Sequence, residues 1–237
     1  MKIKLDLHVH SEYSYDGRMT PAEIAELGRA AGLSGAAVCD HDRTAPLPET
    51  EGFLLIPGTE VSTEQGHLLG LFVTEPVPGG DLARAVGAIR AQGGIAVLAH
   101  PFERSSDASR FDAAAGLVDG IEVMNSRAER KNPRANAMAA ELAERFSLPV
   151  FAGSDAHVPQ EVGNSYITVD VGELSLPAVR EALVTGEREV CGRRSPALFT
   201  ARSQLTKLRK KSAGAPAYIK WVLFAGKCLA QDIFSRR

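Results

Sequence analysis

All six histidines of this 237-residue chain, at positions 8, 10, 41, 67, 100 and 157, fall at the ends or starts of short apolar runs, and the last eighty residues hold none. Taken singly, each would be read as a hydrogen-bonded core or loop imidazole. The repeated placement points instead to one centre. His8 and His10 stand two apart at the end of an apolar run, so on a strand both rings leave by the same face and can grip one ion. Asp155 and His157 repeat that spacing after the run 149–152, with Gly153 permitting close backbone approach. Glu60 follows Pro57-Gly58-Thr59; an acid there is either a solvated loop residue or, in this company, a ligand. His41 lies between Asp40 and Asp42, and Asp42 is read as the carboxylate that orients it.

Stepping from ligands to scaffold, Val-, Ile- and Leu-rich runs at 4–9, 35–39, 53–57, 67–73, 94–99, 120–124, 149–152 and 165–171 alternate with helical spacing at 21–31, 81–92, 133–146 and 176–185. Thr20 before Pro21 is a helix start signal. Alternating strands and helices at this length predict an α/β barrel, with a doubly wound open sheet as competitor. Polar residues at the ends of at least five different strands favour the barrel, because an open sheet binds at one crevice.

Cys39, Cys191 and Cys228 are odd in number and form no C-x-x-C, so neither a disulfide framework nor a thiolate zinc site is expected. The opening Lys2-Ile3-Lys4-Leu5-Asp6 is charged and alternating, and no run of about 18 apolar residues follows. The expected location is cytoplasmic. The net charge of -2 conceals an asymmetry: residues 197–237 carry nine Lys or Arg against Asp232 alone, leaving about -10 on the rest. The expected organisation is a barrel over 1–196 and a basic, amphipathic tail over 197–237.

The ordered motifs Asp6-Leu7-His8-Val9-His10-Ser11, Asp40-His41-Asp42, Gly58-Thr59-Glu60, Ala99-His100-Pro101 and Gly153-Ser154-Asp155-Ala156-His157 resemble those of the PHP (polymerase and histidinol phosphatase) superfamily of metal-dependent phosphoesterases. The resemblance covers about residues 3–195. It implies a distorted seven-stranded (β/α) TIM-like barrel with two or three divalent cations, manganese, iron or zinc, at its mouth. It further implies a first metal on His8, His10, Glu60 and Asp155, with Glu60 bridging to a second held by His100. A third would take Asp16, His41 and His157. Many relatives place a histidine after the fifth strand, where this chain offers Glu122, Asn125 or Ser126. The second site is then weaker, or is completed by Asn125, by His67 or by water.

Such a centre suits phosphate monoesters. Metals about 3.5–4 Å apart can lower the pKa of a shared water towards 7 and neutralise phosphoryl oxygens, so no Ser or Cys nucleophile is needed. Glu60, His67 and Asp155 are the residues expected nearest the reaction; His67 is read as an acid for the leaving group or a phosphate contact. Arg104 and Arg127 are read as substrate contacts. The expected substrate is a small phosphorylated metabolite or nucleotide, 3′,5′-bisphosphate nucleotides and short oligonucleotides included. Two other classes compete. An amidohydrolase also begins with H-x-H but often uses a bridging carboxylated lysine, and no lysine occurs between Lys4 and Lys131. A non-catalytic binding module would have lost ligands that this chain keeps. For the tail, a helix over 218–234 with a narrow polar stripe is expected to pack on the barrel or a second subunit, or to lie on a membrane surface or against nucleic acid.

Overall fold

The computed structural model describes residues 1–234; the last three residues of the expected tail, 235–237, lie outside the described residues. In chain order the elements are β1 (Lys2–Val9), α1 (Pro21–Ala30), β2 (Gly35–His41), β3 (Leu54–Thr63), β4 (Gly66–Leu71), α2 (Leu82–Ala91) and β5 (Ile95–Ala99). Then come α3 (Asp112–Ala115), β6 (Gly120–Asn125), α4 (Ala135–Phe146), β7 (Val150–Gly153), β8 (Ser165–Asp170), α5 (Leu176–Thr185), β9 (Arg188–Gly192), α6 (Ala197–Lys210) and α7 (Ala215–Phe234). Local chemistry sets the helix starts. Thr20 Oγ1 accepts from Glu23 N at 3.1 Å while the Glu23 carboxylate accepts from Thr20 N at 2.7 Å, a capping box reinforced by Pro21.

The nine strands form one sheet in the order β7-β6-β5-β4-β3-β2-β1-β8-β9. β1, β2 and β3 run parallel, as do β5, β6 and β7, while β4 is antiparallel to both neighbours. That reversal is the distortion of the barrel. It arises because β3 runs on through Pro57-Gly58 to Thr63 and returns directly as β4, with no helix between. The first seven strands curl until the end of β7 meets β1: Asp155 N donates to His8 O and His10 N to Ala156 O, both at 2.8 Å. Gly153 makes this seam close. A Cβ there would run into the His8 Cβ and lie 2.7 Å from the His8 nitrogen.

Ile3, Leu5, Leu7, Ile56, Val97 and Phe151 belong to one buried cluster inside the barrel, and Ile24 of α1 packs with Val9 and Val38 in another. Alternation would send Val9 inward with Leu7. Instead the β1–β2 register slips between Asp6 and Val9, and beyond that irregularity His8 and His10 become the pair that turn into the mouth. The strand β9 and the helix α6 are not among the elements expected from sequence. Among the described residues, no helix is long and apolar enough to cross a membrane.

Candidate metal centre

The strand ends bring all six histidines to one place. Ring centroids are 5.1 Å apart for His8–His10, 4.0 Å for His10–His157, 4.5 Å for His10–His41, 5.7 Å for His8–His100 and 5.3 Å for His67–His100. At the centre stands the buried carboxylate of Glu60. His41 Nδ1 and His67 Nδ1 each lie 2.7 Å from it, His100 Nε2 2.9 Å, His10 Nε2 3.5 Å and His8 Nε2 3.7 Å. Asp155 Oδ1 faces His10 Nε2 at 3.3 Å and His8 Nε2 at 3.8 Å. Asp16 Oδ1 stands 3.4 Å from His41 Nε2 and 3.3 Å from His157 Nε2.

Tautomers decide whether this set fits cations. His8 Nδ1 lies 3.0 Å from a Glu122 oxygen, which only accepts, so that nitrogen carries the proton. Ser14 Oγ donates its one hydrogen to Asp40 at 2.6 Å and accepts from the His41 backbone nitrogen at 3.1 Å. Its remaining bond, to His10 Nδ1 at 2.9 Å, must therefore be donated by the imidazole. Both neutral rings then present bare Nε2 lone pairs, and these face each other at 3.1 Å. Two lone pairs at that separation repel unless a positive charge lies between them. Asp16 Oδ1 and Glu60 Oε2 are buried without a hydrogen bond, although ring nitrogens surround them. The donor set thus fits divalent cations. Three triads of ligand atoms lie within 4.8 Å of one another: His8-His10-Asp155, His8-Glu60-His100 and His10-His41-His157.

Without cations, protons supply the missing charge. Burial depresses His100 and His41, but Glu60 overrides it and raises them to about 9 and about 10. Burial, followed by His157 and His41, holds His10 well below its ordinary value. Against its own burial penalty, Glu60 is held well below the usual carboxylate range by His67 and His41. Two residues of this cluster also sit on strained backbone, His100 at φ 27° and Asp155 at φ 54°, conformations that cost about 1–3 kcal/mol each and cluster at functional sites.

A family model described as PHP-associated matches residues 133–187. A two-domain protein from Bacteroides vulgatus containing a predicted PHP-like metal-dependent phosphoesterase shares the fold, with a TM-score of 0.63 at 19% identity over 87% of this chain and 70% of that one. The uncharacterised protein MJ0417 of Methanocaldococcus jannaschii is 36% identical over 173 residues, 70% of each chain. This chain belongs to the PHP superfamily of metal-dependent phosphoesterases. A further relative, the 3′,5′-nucleoside bisphosphate phosphatase of Chromobacterium violaceum, is 31% identical over 134 residues, 51% of this chain and 46% of that protein. The alignment thus spans about half of each.

Around this PHP centre the remaining expected residues take definite places. Asp42 does not orient His41; its carboxylate accepts from the Ser62 amide at 2.7 Å and hydroxyl at 3.0 Å. The bracing acid is its neighbour Asp40, buried and bonded to the amides and hydroxyls of Ser11 and Ser14, which fixes the loop that carries Asp16. Asn125, the other residue expected behind the ligands, braces Glu122: Nδ2 donates to that carboxylate at 3.0 Å, and Oδ1 accepts from the backbone of Arg127 and Ala128. Glu122, which the sequence offers only in place of a missing histidine, has a different position. It lies under the site, accepting from His8 Nδ1 and, at 2.9 Å, from the His100 amide. Arg127 is not a free substrate contact, because Nε donates to Glu161 at 2.8 Å and Nη1 lies 2.9 Å from His157 Nδ1. Arg104 is mostly exposed at the rim beside Glu103 and lines the same pocket as the histidines. A groove of about 330 Å³, lined by His67, His100, Arg104, Arg110 and Phe111, opens next to that pocket.

Proposed function

We propose that this chain hydrolyses phosphomonoesters of a small metabolite or nucleotide, with residues 1–196 as the catalytic barrel. His8, His10, Asp16, His41, Glu60, His100, Asp155 and His157 would hold two or three divalent cations. When bound, those cations would supply a polarised water nucleophile and neutralise the phosphoryl oxygens. The observation that carries the reading is Glu60, one buried carboxylate approached by five imidazoles, which could be shared by neighbouring cations. It also removes the need for the bridging lysine of an amidohydrolase.

The protein's own groups have separate tasks. Glu122 and Ser14 keep His8 and His10 in the tautomers that aim Nε2 at the site. His67, about a third exposed at the pocket wall, would meet the leaving group and donate a proton to its alkoxide. The bisphosphate phosphatase relative supports a nucleotide among the substrates. The test is a panel of phosphomonoesters, nucleotides, short oligonucleotides and an amide or lactone, assayed with manganese alongside His10→Ala and Asp155→Ala. Turnover of phosphomonoesters that both variants abolish, with circular dichroism unchanged, is expected. Turnover of the amide or lactone alone, or undiminished activity in both variants, would refute the reading.

A further inference from the structure

Part of the lining of the pocket that holds Glu60 comes not from the barrel but from α6, through Thr200, Gln204 and Lys207. Its position is tied to the metal-ligand loops from both ends. Arg127, beside His157, donates to Phe199 O at 3.3 Å and to Ser203 Oγ at 3.1 Å. Lys210 Nζ donates to the carbonyls of Glu12 and Ser14 at 2.5 and 2.6 Å, in the loop that leads to Asp16. Asp232 of α7 accepts from the Ala197 and Leu198 amides and so holds the start of α6.

Five arginine and lysine side chains line this pocket, and they differ in how they are compensated; Arg127 is paired with Glu161 at 2.8 Å. Lys131 and Arg104 share the Glu103 carboxylate, at 2.7 and 3.4 Å. Lys207 and Arg130 have no carboxylate within 4 Å among the described residues. Each rests on an aromatic face instead: Lys207 Nζ is 4.3 Å from the Tyr15 centroid, and the Arg130 guanidinium 5.7 Å from that of Phe224 on α7. Tyr15 in turn stacks on His41, centroids 4.5 Å apart and planes 8° from parallel. Aromatic contact fixes a cation without neutralising it, so both charges remain available beside the cation centre.

We propose that Lys207 of the α6–α7 hairpin and Arg130, which follows β6 and rests against that hairpin, form an anion subsite, which selects substrates bearing a second anionic group besides the phosphoryl group under attack. This rests on the hydrolase reading above for the role of the first group. Lys207, delivered by α6, is the specificity-determining residue, and Gln204 and Thr200 are the neutral donors beside it.

The test measures binding, so that it stands apart from turnover. Manganese-loaded protein is titrated calorimetrically with phenylphosphonate, which carries one anionic group, and with para-phenylenediphosphonate, which carries two. The diphosphonate is expected to bind at least tenfold tighter to the wild type. Lys207→Ala and Arg130→Ala should each erase most of that preference, while Lys207→Arg retains it and the metal content of all variants is unchanged. A wild type that does not prefer the diphosphonate, or a double variant that keeps the preference, overturns the subsite. Lost preference in the variants of a protein that turns over no phosphoester would leave the subsite standing and remove the hydrolase reading. A lowered Tm with unaltered preference would reduce Lys207 to a prop for Tyr15, which also refutes the proposal.

Discussion

The barrel mouth and the C-terminal hairpin face each other across one pocket, yet they are stabilised in opposite ways. The mouth is a polar cluster set on large apolar clusters, and its own groups are buried, strained and mutually dependent. Among the described residues, the hairpin has a core of Ala197, Ala201 and Cys228, with Leu198, Phe224 and Ala225 packed on it, and leaves Ile219, Val222, Leu223, Ile233 and Phe234 more than half exposed. The difference teaches that the mouth's geometry is over-determined by contacts from distant strands, whereas the hairpin is held by a few polar bonds to the loops it covers. Perturbations should therefore be felt steeply in one region and weakly in the other.

The largest expected effect is that of removing the cations. In the metal-free protein, His41 and His100 are raised to about 10 and about 9 from an ordinary value near 6.5. A group whose folded pKa is raised binds its proton more tightly when folded. Its contribution is fully present below about pH 6.5 and is lost as pH rises through 9 to 10. Chelator-treated protein should therefore melt at progressively lower temperature from pH 6.5 to 10, each kcal/mol lost moving Tm by about 2–4 °C. Metal-loaded protein should not follow, because cations replace those protons, and metal affinity should rise over the same range. Parallel melting curves for the two forms would show that the mouth does not depend on its cations in this way.

A smaller effect tests how far the mouth's order depends on what lies beneath it. Glu122→Gln keeps the shape but replaces a carboxylate that touches both the His8 ring and the His100 backbone. Metal affinity should fall by about 10–100-fold with circular dichroism unchanged, as competition with a chelating dye would measure. An unaltered affinity would mean that His8 is oriented without it.

Much of this cluster was legible in the chain because its imidazoles and carboxylates stand at strand ends, where apolar runs stop. His8, His10, His41, Glu60, His100, Asp155 and His157 needed only that reading and the ordered motifs. What stayed hidden depends on pairing and docking. Glu122 stands within the apolar run 120–124, and only the β6 register carries it beneath His8. Asp40 and Asp42 are equivalent as neighbours of His41, and the left-handed backbone of Asp42, φ 54°, is what turns its carboxylate to Ser62. The slip in β1 that redirects His8 and His10 leaves no mark in alternation, and neither does the fold-back of α6 over the mouth, since both are set by contacts far along the chain.

The smallest effect belongs to the hairpin. Leu223 is 71% exposed on α7, so Leu223→Gln removes little buried surface and should change unfolding free energy by no more than about 0.5 kcal/mol. A buried leucine of the barrel such as Leu7, 1% exposed, should cost about 2–5 kcal/mol when cut to alanine. Thermal melts of the two variants at two protein concentrations make the comparison direct. If Leu223→Gln instead lowers Tm by several degrees, and more so in the concentrated sample, a second copy must cover that face in solution. The hairpin would then draw its stability from association, and its contrast with the mouth would hold only for the isolated chain.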